Sequence, residues 1–205
     1  MSDSPPMTPR GRATHTRIVR AAVDVIAGHG ATDMSLDLVM RRAGVSKGQL
    51  YHYFDDRAAL VHAAVDATVD DVVTLQRSMM EALDTWQGIR TWFDCLIALQ
   101  VTLDARGGCP MAMLSAHLVE TDEIVRSRLI AGFERWEGML ERGLTSMRAA
   151  GLLVGDAQPR ELSIATMASI QGGLVLTQVR RDPEQLRIAL TSAWSYLQSH
   201  AAAPD

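Results

Sequence analysis

The sequence predicts an all-α protein, and three observations support that fold class. Apolar residues recur at steps of three and four along most of the 205 residues, which is the spacing of one helix face. Glycine and proline stand where these patterns stop. No segment alternates apolar and polar residues over the length of a strand. The length allows one compact unit or two small domains.

The chain begins with a polar stretch rich in serine and proline. Residues 1–11 are predicted to form a disordered arm rather than a signal peptide. A first helix is expected from about residue 13 to residue 27, and Gly28 and Gly30 would end it. The inward positions of this helix are apolar: Ile18, Ala22, Val25 and Ile26.

Residues 34–54 have the pattern of two short helices joined by a tight turn. Ser35 is the expected N-cap of a helix over residues 34–42. Gly44 suits the left-handed conformation that ends such a helix, and Ser46 can cap the next one. The second helix would bury Leu50 together with Tyr53 or Phe54.

The outward side of this second helix carries hydrogen-bond donors and flat rings but no carboxylate: Lys47, Gly48, Gln49, Tyr51 and His52. Such a surface suits the major groove of double-stranded DNA. Gln49 is the expected base reader, because a side-chain amide can pair with adenine through two hydrogen bonds. Lys47, the only lysine of the chain, can reach a guanine edge or a phosphate, and the Tyr51 and Tyr53 hydroxyls are better placed for phosphates. The alternative is an ordinary helical hairpin with a solvated polar face.

Charge is distributed unevenly along the chain, whose formal net charge is −4. Residues 1–60 hold 8 Lys and Arg against 6 Asp and Glu, whereas residues 61–205 hold 12 against 18. The surplus of cations therefore lies with the predicted DNA-reading element. The local field matters more for a nucleic-acid partner than the total charge does.

Six further helices are expected in the rest of the chain. Asp55 and Asp56 would begin the first, and Pro159 and Pro183 stand in the first turns of the last two. Glycines and a proline at 107–110 interrupt the pattern between the second and the third. The expected ranges are about 55–83, 85–106, 111–120, 122–150, 159–181 and 183–200.

Residues 12–60 closely resemble the N-terminal domain of the tetracycline-repressor (TetR) family of bacterial transcriptional regulators. The matching residues form the apolar side of the first helix, the turn with the reading helix, and the start of the next helix: Ile18, Ala21, Ala22, Gly30, 43–48, 50–54, Arg57 and Leu60. This pattern is far more specific than a generic helix-turn-helix. It covers about a quarter of the chain.

The resemblance implies a three-helix DNA-binding domain over residues 12–58 and a helical ligand-binding and dimerisation domain over residues 59–205. It implies a cytoplasmic homodimeric repressor, which a small apolar or aromatic effector releases from a palindromic DNA operator. Carried onto this chain, the DNA-contacting positions of the family are Ser35, Lys47, Gly48, Gln49, Tyr51, His52, Tyr53 and Arg57. Arg57 replaces the lysine that is more frequent at that place. Asp37 departs from the family pattern, which often has a basic or neutral residue near this position. It is left out of the contact set, because its carboxylate repels phosphate.

The last two predicted helices are expected to pair with a second copy of the chain. Two reading helices about 34 Å apart would enter successive major grooves of one duplex. Small and apolar residues on both helices would form the interface: Ala165, Ser169, Gly172, Leu176, Leu186, Leu190, Ala193, Trp194 and Leu197. The alternative is that both helices close the core of a single copy. The uncharged segment 162–179 is interrupted by polar residues, so a buried helix is favoured over a membrane span.

By the same resemblance, an effector would bind among the middle helices, which are rich in Met, Trp and Leu. Adaptable Met side chains and aromatic rings suit a pocket for apolar compounds, although the same residues at helical spacing also form ordinary cores. The expected ligand-binding residues are Trp92, Leu96, Cys109, Met113, His117, Phe133, Trp136 and Gln171. His117 and Gln171 would be the polar groups of the pocket.

The two cysteines, Cys95 and Cys109, form no disulfide framework. Cys109 precedes a proline at the expected start of a helix, where a thiol can have a low pKa and react with oxidants or electrophiles. The alternative function is therefore a helical ligand-binding or interaction protein, with Cys109 as a redox or electrophile sensor. The competing interpretation of Cys109 is a small residue that fills a loop.

Six histidines are scattered along the chain, and no catalytic constellation or metal-ligand spacing accompanies them. The sequence therefore predicts a protein that is not an enzyme and that has no cofactor and no metal.

Overall fold

The structure is a computed structural model that describes residues 7–30 and 34–203. Within these ranges it contains nine α-helices and one isolated antiparallel bridge, between Leu153 and Ala201. The helices are α1 Pro9–His29, α2 Leu36–Ala43, α3 Lys47–Tyr53, α4 Arg57–Met79, α5 Trp86–Thr102, α6 Pro110–Leu118, α7 Glu123–Ala149, α8 Pro159–Arg180 and α9 Glu184–Gln198. The predicted fold class and the predicted order of helices are confirmed.

Helix α1 begins earlier than the sequence analysis predicts. Pro9 occupies its first turn, where a missing N–H costs nothing, and the Thr8 hydroxyl accepts a hydrogen bond from Gly11 N at 3.1 Å. The predicted arm over residues 1–11 is thus corrected, because Arg10 and Gly11 belong to α1. Residues 1–6 of that arm lie outside the described residues.

The chain divides into two compact units. One unit comprises the residues up to Asp71 together with Leu114–Leu129, and the other comprises Val72–Met113 and the residues from Ile130 onward. Helices α4, α6 and α7 each contribute residues to both units. This division follows compactness, and the functional boundary between residues 58 and 59 stays a prediction.

The first unit contains α1, α2 and α3, whose apolar sides are buried. Ile18 of α1, Val39 of α2 and Leu50 of α3 are at most 1% exposed. Gly44 ends α2 in the left-handed conformation, with φ 62° and ψ 44°, as the sequence predicts. Arg17 of α1 donates a hydrogen bond from Nε to the last carbonyl of α2 at 2.7 Å. These contacts set the direction in which α3 leaves the turn.

In the second unit, α9 packs its apolar stripe inward. The stripe that the sequence analysis assigns to a dimer interface is at most 3% exposed: Leu186, Leu190, Ala193 and Leu197. The Thr177 hydroxyl of α8 accepts a hydrogen bond from Leu186 N at 3.0 Å. Their burial within one copy favours the alternative that this stripe closes the core of a single copy, and its place in a dimer interface stays a prediction. Of the other predicted interface residues, Gly172 and Leu176 are exposed, whereas Ala165, Ser169 and Trp194 are half-buried.

Among the described helices, α8 is the one that is long and apolar enough to cross a membrane by length and composition. Of its most apolar stretch, 44% is buried inside the chain. The core helix of a water-soluble protein has the same length and composition, so this feature is weak support for a membrane span.

Gly143 of α7 makes a close approach that leaves no room for a side chain. An ideal Cβ at this position would lie 2.5 Å from the carbonyl oxygen of Leu83 and 2.6 Å from its Cβ. We expect Gly143→Ala to lower the free energy of unfolding by about 1–3 kcal/mol, because the backbone at Leu83 must move. Urea denaturation followed by circular dichroism measures the change.

Gly138, in the same helix, provides the matched control. A Cβ at Gly138 would meet only the flexible end of Arg142, at 3.3 Å. Gly138→Ala should raise stability by up to about 1 kcal/mol, since alanine favours the helix. Equal effects of the two substitutions would show that the contact at Leu83 is unimportant.

Candidate nucleic-acid interface

A reciprocal capping box holds the start of α3. The Ser46 hydroxyl accepts a hydrogen bond from Gln49 N at 3.2 Å, and Gln49 Oε1 accepts one from Ser46 N at 2.9 Å. The Ser-x-x-Gln spacing is the sequence signature of this motif, and it assigns Gln49 a structural role in addition to the predicted base reading. Adenine recognition through both amide atoms therefore requires Gln49 Oε1 to share or break its bond with Ser46.

The inner side of α3 is anchored by apolar and aromatic contacts. Leu50 and Phe54 are buried, and the His15 ring of α1 stacks on Phe54 with ring centroids 5.0 Å apart. Tyr53 is half-buried, and its ring lies edge-on to His15 at 6.0 Å. Tyr53 thus supports the helix as well as belonging to the predicted contact set.

The outer side of α3 is exposed, as predicted, and carries no carboxylate. Its exposed residues are Lys47, Gly48, Gln49, Tyr51 and His52. The Lys47 ammonium lies 5.9 Å from the centroid of the Tyr51 ring, so the cation and the ring form one patch. The exposed side of the helix thus presents the Lys47–Tyr51 patch toward one groove and the Gln49 amide toward another. These are groups that bind phosphates and base edges.

A groove beside this face brings in residues from outside the predicted set. The first turns of α1 contribute Thr8, Arg10 and Thr14, which line the groove together with Gln49 and His52. The early start of α1 places them there. The Thr8-Pro9 pair, which can cap and open a helix, is the sequence signal for this early start.

A second groove lies on the side of α2. It is lined by Met40 and Arg41 of α2 and by Lys47 of α3, and Asp37 contributes a carboxylate to its rim. The acidic side chain therefore lies near the cation of α3. Its carboxylate would repel a phosphate bound in this groove, and the exclusion of Asp37 from the contact set stays a prediction.

The two remaining predicted contact residues, Ser35 and Arg57, are exposed and also have structural roles. Ser35 is the N-cap of α2, and its hydroxyl accepts a hydrogen bond from Leu38 N at 3.4 Å. Arg57, the first residue of α4, donates from Nε to the carbonyl of Met34 at 3.2 Å. A phosphate contact would have to coexist with these hydrogen bonds.

Seven of the eight predicted ligand-binding residues have described side chains, and all of these lie in the second unit. Trp92, Leu96, Cys109 and Trp136 are buried, whereas Met113, Phe133 and Gln171 are half-buried. The Trp92 indole donates to Gln76 Oε1 at 3.0 Å, whereas the Trp136 indole nitrogen has no hydrogen-bond partner among the described residues. The side chain of His117 lies outside the described part of the structure.

Cys109 does not have the environment that the reactive-thiol hypothesis requires. The residue is 6% exposed, and burial raises the pKa of its thiol. Three hydrogen bonds lower the pKa of the thiol, but they do not outweigh the effect of burial. They involve the backbone of Ala112 and Met111 and the side chain of Gln171. The expectation of a lowered pKa is corrected, since in a buried position desolvation outweighs the start of a helix.

Comparison with known families gives two matches along the chain. Residues 85–192 match the C-terminal domain of LmrA/YxaF-like transcriptional regulators, and residues 18–64 match the bacterial regulatory proteins of the tetR family. The first match covers more than half of the chain.

Individual proteins agree with these matches. The HTH-type transcriptional repressor DhaR of a Mycobacterium species is 24% identical over 182 residues, which cover 88% of this chain and 90% of DhaR. The HTH-type regulator YxaF of Bacillus subtilis is 25% identical over 182 residues, which cover 88% of this chain and 92% of YxaF. A crystal structure of a TetR-family regulator from Cytophaga hutchinsonii has a TM-score of 0.83 and 16% identity, covering 97% of this chain and 100% of that one. This last likeness bears on the fold alone.

Proposed function

Because the chain belongs to the TetR family of DNA-binding transcriptional regulators and has an LmrA/YxaF-like C-terminal domain, we propose that it is a repressor that a small molecule releases from a palindromic operator. The family is one of regulators rather than of enzymes. We place the action of this chain in the cytoplasm, where its DNA target is accessible.

The observation that carries the proposal is the outer face of α3. This helix is fixed by a capping box and by buried Leu50, and it exposes Lys47, Gln49 and Tyr51 without any carboxylate among them. A rigid, positive and hydrogen-bonding helix of this kind suits the major groove. In our proposal Lys47 and Tyr51 bind phosphates, and Gln49 reads a base.

The groove beside α3 extends the proposed contact surface to α1. Arg10 lines the groove with Thr8 and Thr14, and none of the described residues that line it is acidic. A guanidinium there adds a cation for a backbone phosphate next to the reading helix. This contact would position the protein on the duplex without reading its sequence.

The exposed face of α8 and α9 supports a homodimer. Apolar side chains recur on this face at helical spacing and are 42–75% exposed: Ile164, Val175, Leu176, Val179, Ile188 and Tyr196. A contiguous apolar surface on one side of a helix pair is typical of a protein–protein interface. We propose that a second copy covers it, so that two α3 helices face successive major grooves.

Release by an effector requires a connection between the two units, and the helices provide one. In the first unit, His62 Nε2 of α4 and Asp122 Oδ2 at the start of α7 are 2.8 Å apart, and Arg128 Nη1 donates to the His62 carbonyl at 2.7 Å. Both α4 and α7 continue into the second unit. An effector that binds the second unit and prefers another position of these helices would thereby shift the population away from the DNA-binding state.

A reporter assay tests repression. The duplex selected by the purified chain is placed over a promoter, and expression is measured with the chain and with a Lys47→Glu variant. Repression predicts lower expression with the unaltered chain than with the variant. Higher expression with the unaltered chain would make the protein an activator, and equal expression would contradict regulation through this face.

The double role of Gln49 gives a prediction that separates stability from recognition. Gln49→Glu keeps the capping box, since a carboxylate oxygen can accept the hydrogen bond from Ser46 N. The change removes the amide donor and adds a negative charge toward DNA. We expect an unchanged or slightly higher melting temperature and an operator affinity at least about tenfold lower, from the loss of one base contact. Scanning fluorimetry and fluorescence anisotropy measure the two quantities.

Gln49→Ala is the control for this pair of measurements. It removes both the cap and the base contact, so both the melting temperature and the affinity should fall. If Gln49→Glu bound the operator as tightly as the unaltered chain, Gln49 would serve as a cap alone.

A further inference from the structure

Resting on the DNA-binding function proposed above, we infer that the groove between α2 and α3 is a phosphate-binding site. Arg41 and Lys47 bind one backbone phosphate of the operator there, and Asp37 limits how tightly they bind it. Arg41 is absent from the predicted contact set. The inference therefore adds a DNA contact outside the reading helix and a residue that weakens DNA binding.

Three charged side chains and an uncharged remainder line this groove. Arg41 and Asp37 of α2 and Lys47 of α3 supply the charges, and all three residues are exposed. The uncharged lining comes from the end of α2 and from the turn: Met40, Gly44 and Val45. Two cations against one anion leave a net positive charge at the groove, which favours an anionic partner.

The groove adjoins the proposed DNA-binding patch through Lys47. Asp37 and Arg41 are four residues apart on α2, so their side chains leave the same side of that helix. Lys47 begins α3 and lines the groove from the other side of the turn. The Lys47 ammonium also lies 5.9 Å from the centroid of the Tyr51 ring, on the reading helix. A strand of DNA that contacts Lys47 therefore passes next to Arg41.

The arginines near the turn differ in their partners. Arg17 Nε donates to the Ala43 carbonyl at 2.7 Å. Arg42 Nε lies 3.1 Å from Asp24 Oδ2, with which it forms an ion pair. The Arg41 side chain, by contrast, has no hydrogen bond or ion pair with any described residue. Its guanidinium keeps five N–H donors for another molecule.

The position of Arg41 on α2 identifies a phosphate as that partner. In a helix-turn-helix, the second helix enters the major groove and the first helix crosses the DNA backbone. Arg41 belongs to the first helix, so it faces phosphates rather than base edges. A guanidinium can donate two parallel hydrogen bonds to a phosphate, and the Lys47 ammonium adds a second positive charge. Such a contact raises affinity and positions the protein without reading the sequence.

Asp37 contributes a negative charge to the same groove. It lies in the first turn of α2, where a carboxylate stabilises the helix. The same carboxylate repels a phosphate bound by Arg41 and Lys47. Asp37 thus favours the folded helix and lowers the affinity for DNA. An effector can release the protein only as far as its differential affinity for the two states allows, so a limited operator affinity makes release easier.

The first test compares two neighbouring arginines of α2. Arg41→Gln and Arg42→Gln remove the same charge from two exposed positions. Fluorescence anisotropy over a salt series measures binding to the duplex that the chain selects from a random pool and to an unrelated duplex of equal length. We expect Arg41→Gln to weaken both duplexes by the same factor, at least about fivefold, and to reduce the salt slope by about 1.

Arg42→Gln is the control, because its side chain is paired with Asp24. It should weaken both duplexes less than about twofold, and scanning fluorimetry should show nearly unchanged melting temperatures for both variants. Equal losses of affinity with Arg41→Gln and Arg42→Gln would overturn the inference. A loss with Arg41→Gln on the selected duplex alone would make Arg41 a base reader and would equally overturn it.

The second test locates the phosphate. Each phosphate of the selected duplex is replaced in turn by a neutral methylphosphonate. At one position the replacement should weaken binding of the unaltered chain at least about fivefold but binding of Arg41→Gln less than about twofold, because the variant no longer contacts that phosphate. If every replacement had the same effect on both proteins, Arg41 would bind no phosphate.

The third test concerns Asp37. Asp37→Asn should bind the selected duplex at least about threefold more tightly, although its melting temperature is unchanged or lower. The gain should disappear on the duplex whose phosphate in the groove is neutral. Asp94→Asn makes the same change of charge at an exposed position of α5 in the second unit and should alter affinity little. Equal effects of Asp37→Asn and Asp94→Asn would contradict the limiting role of Asp37.

These outcomes separate the inference from the proposed function. A chain that selects an operator but responds equally to Arg41→Gln and Arg42→Gln would remain a DNA-binding regulator without a phosphate site in this groove. A chain that binds no duplex even in weak salt would contradict both the regulator and the site.

Discussion

Reversing the charge at Lys47 should lower operator affinity by at least about a hundredfold. Lys47→Glu removes a cation from the exposed face of α3 and places a carboxylate against the phosphates of the duplex. The side chain is exposed, so the substitution should leave the melting temperature of the protein nearly unchanged. Fluorescence anisotropy across a salt series measures both the affinity and the slope of its logarithm against the logarithm of salt concentration. We expect a shallower slope for the variant, because fewer counterions are released.

Arg106→Glu provides the matched control. Arg106 is also exposed and undergoes the same change of charge, but it lies in the second unit after the end of α5. The control should lower operator affinity only slightly, through the net charge of the protein. If Lys47→Glu and Arg106→Glu weakened binding equally, the outer face of α3 would not be the DNA-binding surface.

A charge on the exposed face of α8 should separate the two copies and abolish tight operator binding. Val179 is 75% exposed in one copy, so Val179→Asp should leave the fold of that copy intact. In the proposed dimer the aspartate would be buried without a partner, which disfavours association. A monomer can bind only one half-site of the operator. We therefore expect operator affinity to fall by at least about a thousandfold, because the second reading helix is no longer linked to the first. Sedimentation velocity should show a species of 22.4 kDa in place of one of twice that mass.

Val101→Asp controls for the substitution itself. Val101 is 57% exposed and lies on α5 rather than on the α8–α9 face. This variant should remain dimeric and should bind the operator normally. A Val179→Asp protein that stayed dimeric, or an unaltered chain that sedimented as a monomer at the same concentration, would contradict the proposed interface.

The turn and the reading helix could be predicted because their signals are local. Gly44 must be left-handed to end α2, and Ser46 caps α3 through atoms only three residues away. The start of α1 at Pro9 was predictable in the same way from the preceding Thr8, and the capping role of Gln49 from its distance to Ser46. In both cases the signal lies within three residues of the feature that it predicts.

The parts that could not be predicted depend on neighbours distant in sequence. Periodicity identifies the apolar stripe of α9, but it does not tell whether α8 or a second copy covers Leu186 and Leu190. Likewise Trp92 and Trp136 have similar sequence surroundings, and only the structure distinguishes the indole that donates to Gln76 from the one that has no partner among the described residues. The raised pKa of Cys109 has the same origin, because the depth of burial depends on the packing of several helices.

The most direct test of the account is selection of duplexes from a random DNA pool by the purified full chain, in weak salt and without any added compound. The account predicts enrichment of palindromic duplexes whose half-site centres are about 34 Å apart, with an affinity that falls steeply as salt rises. A pool that shows no enrichment after repeated rounds would contradict the claim that paired α3 helices read DNA.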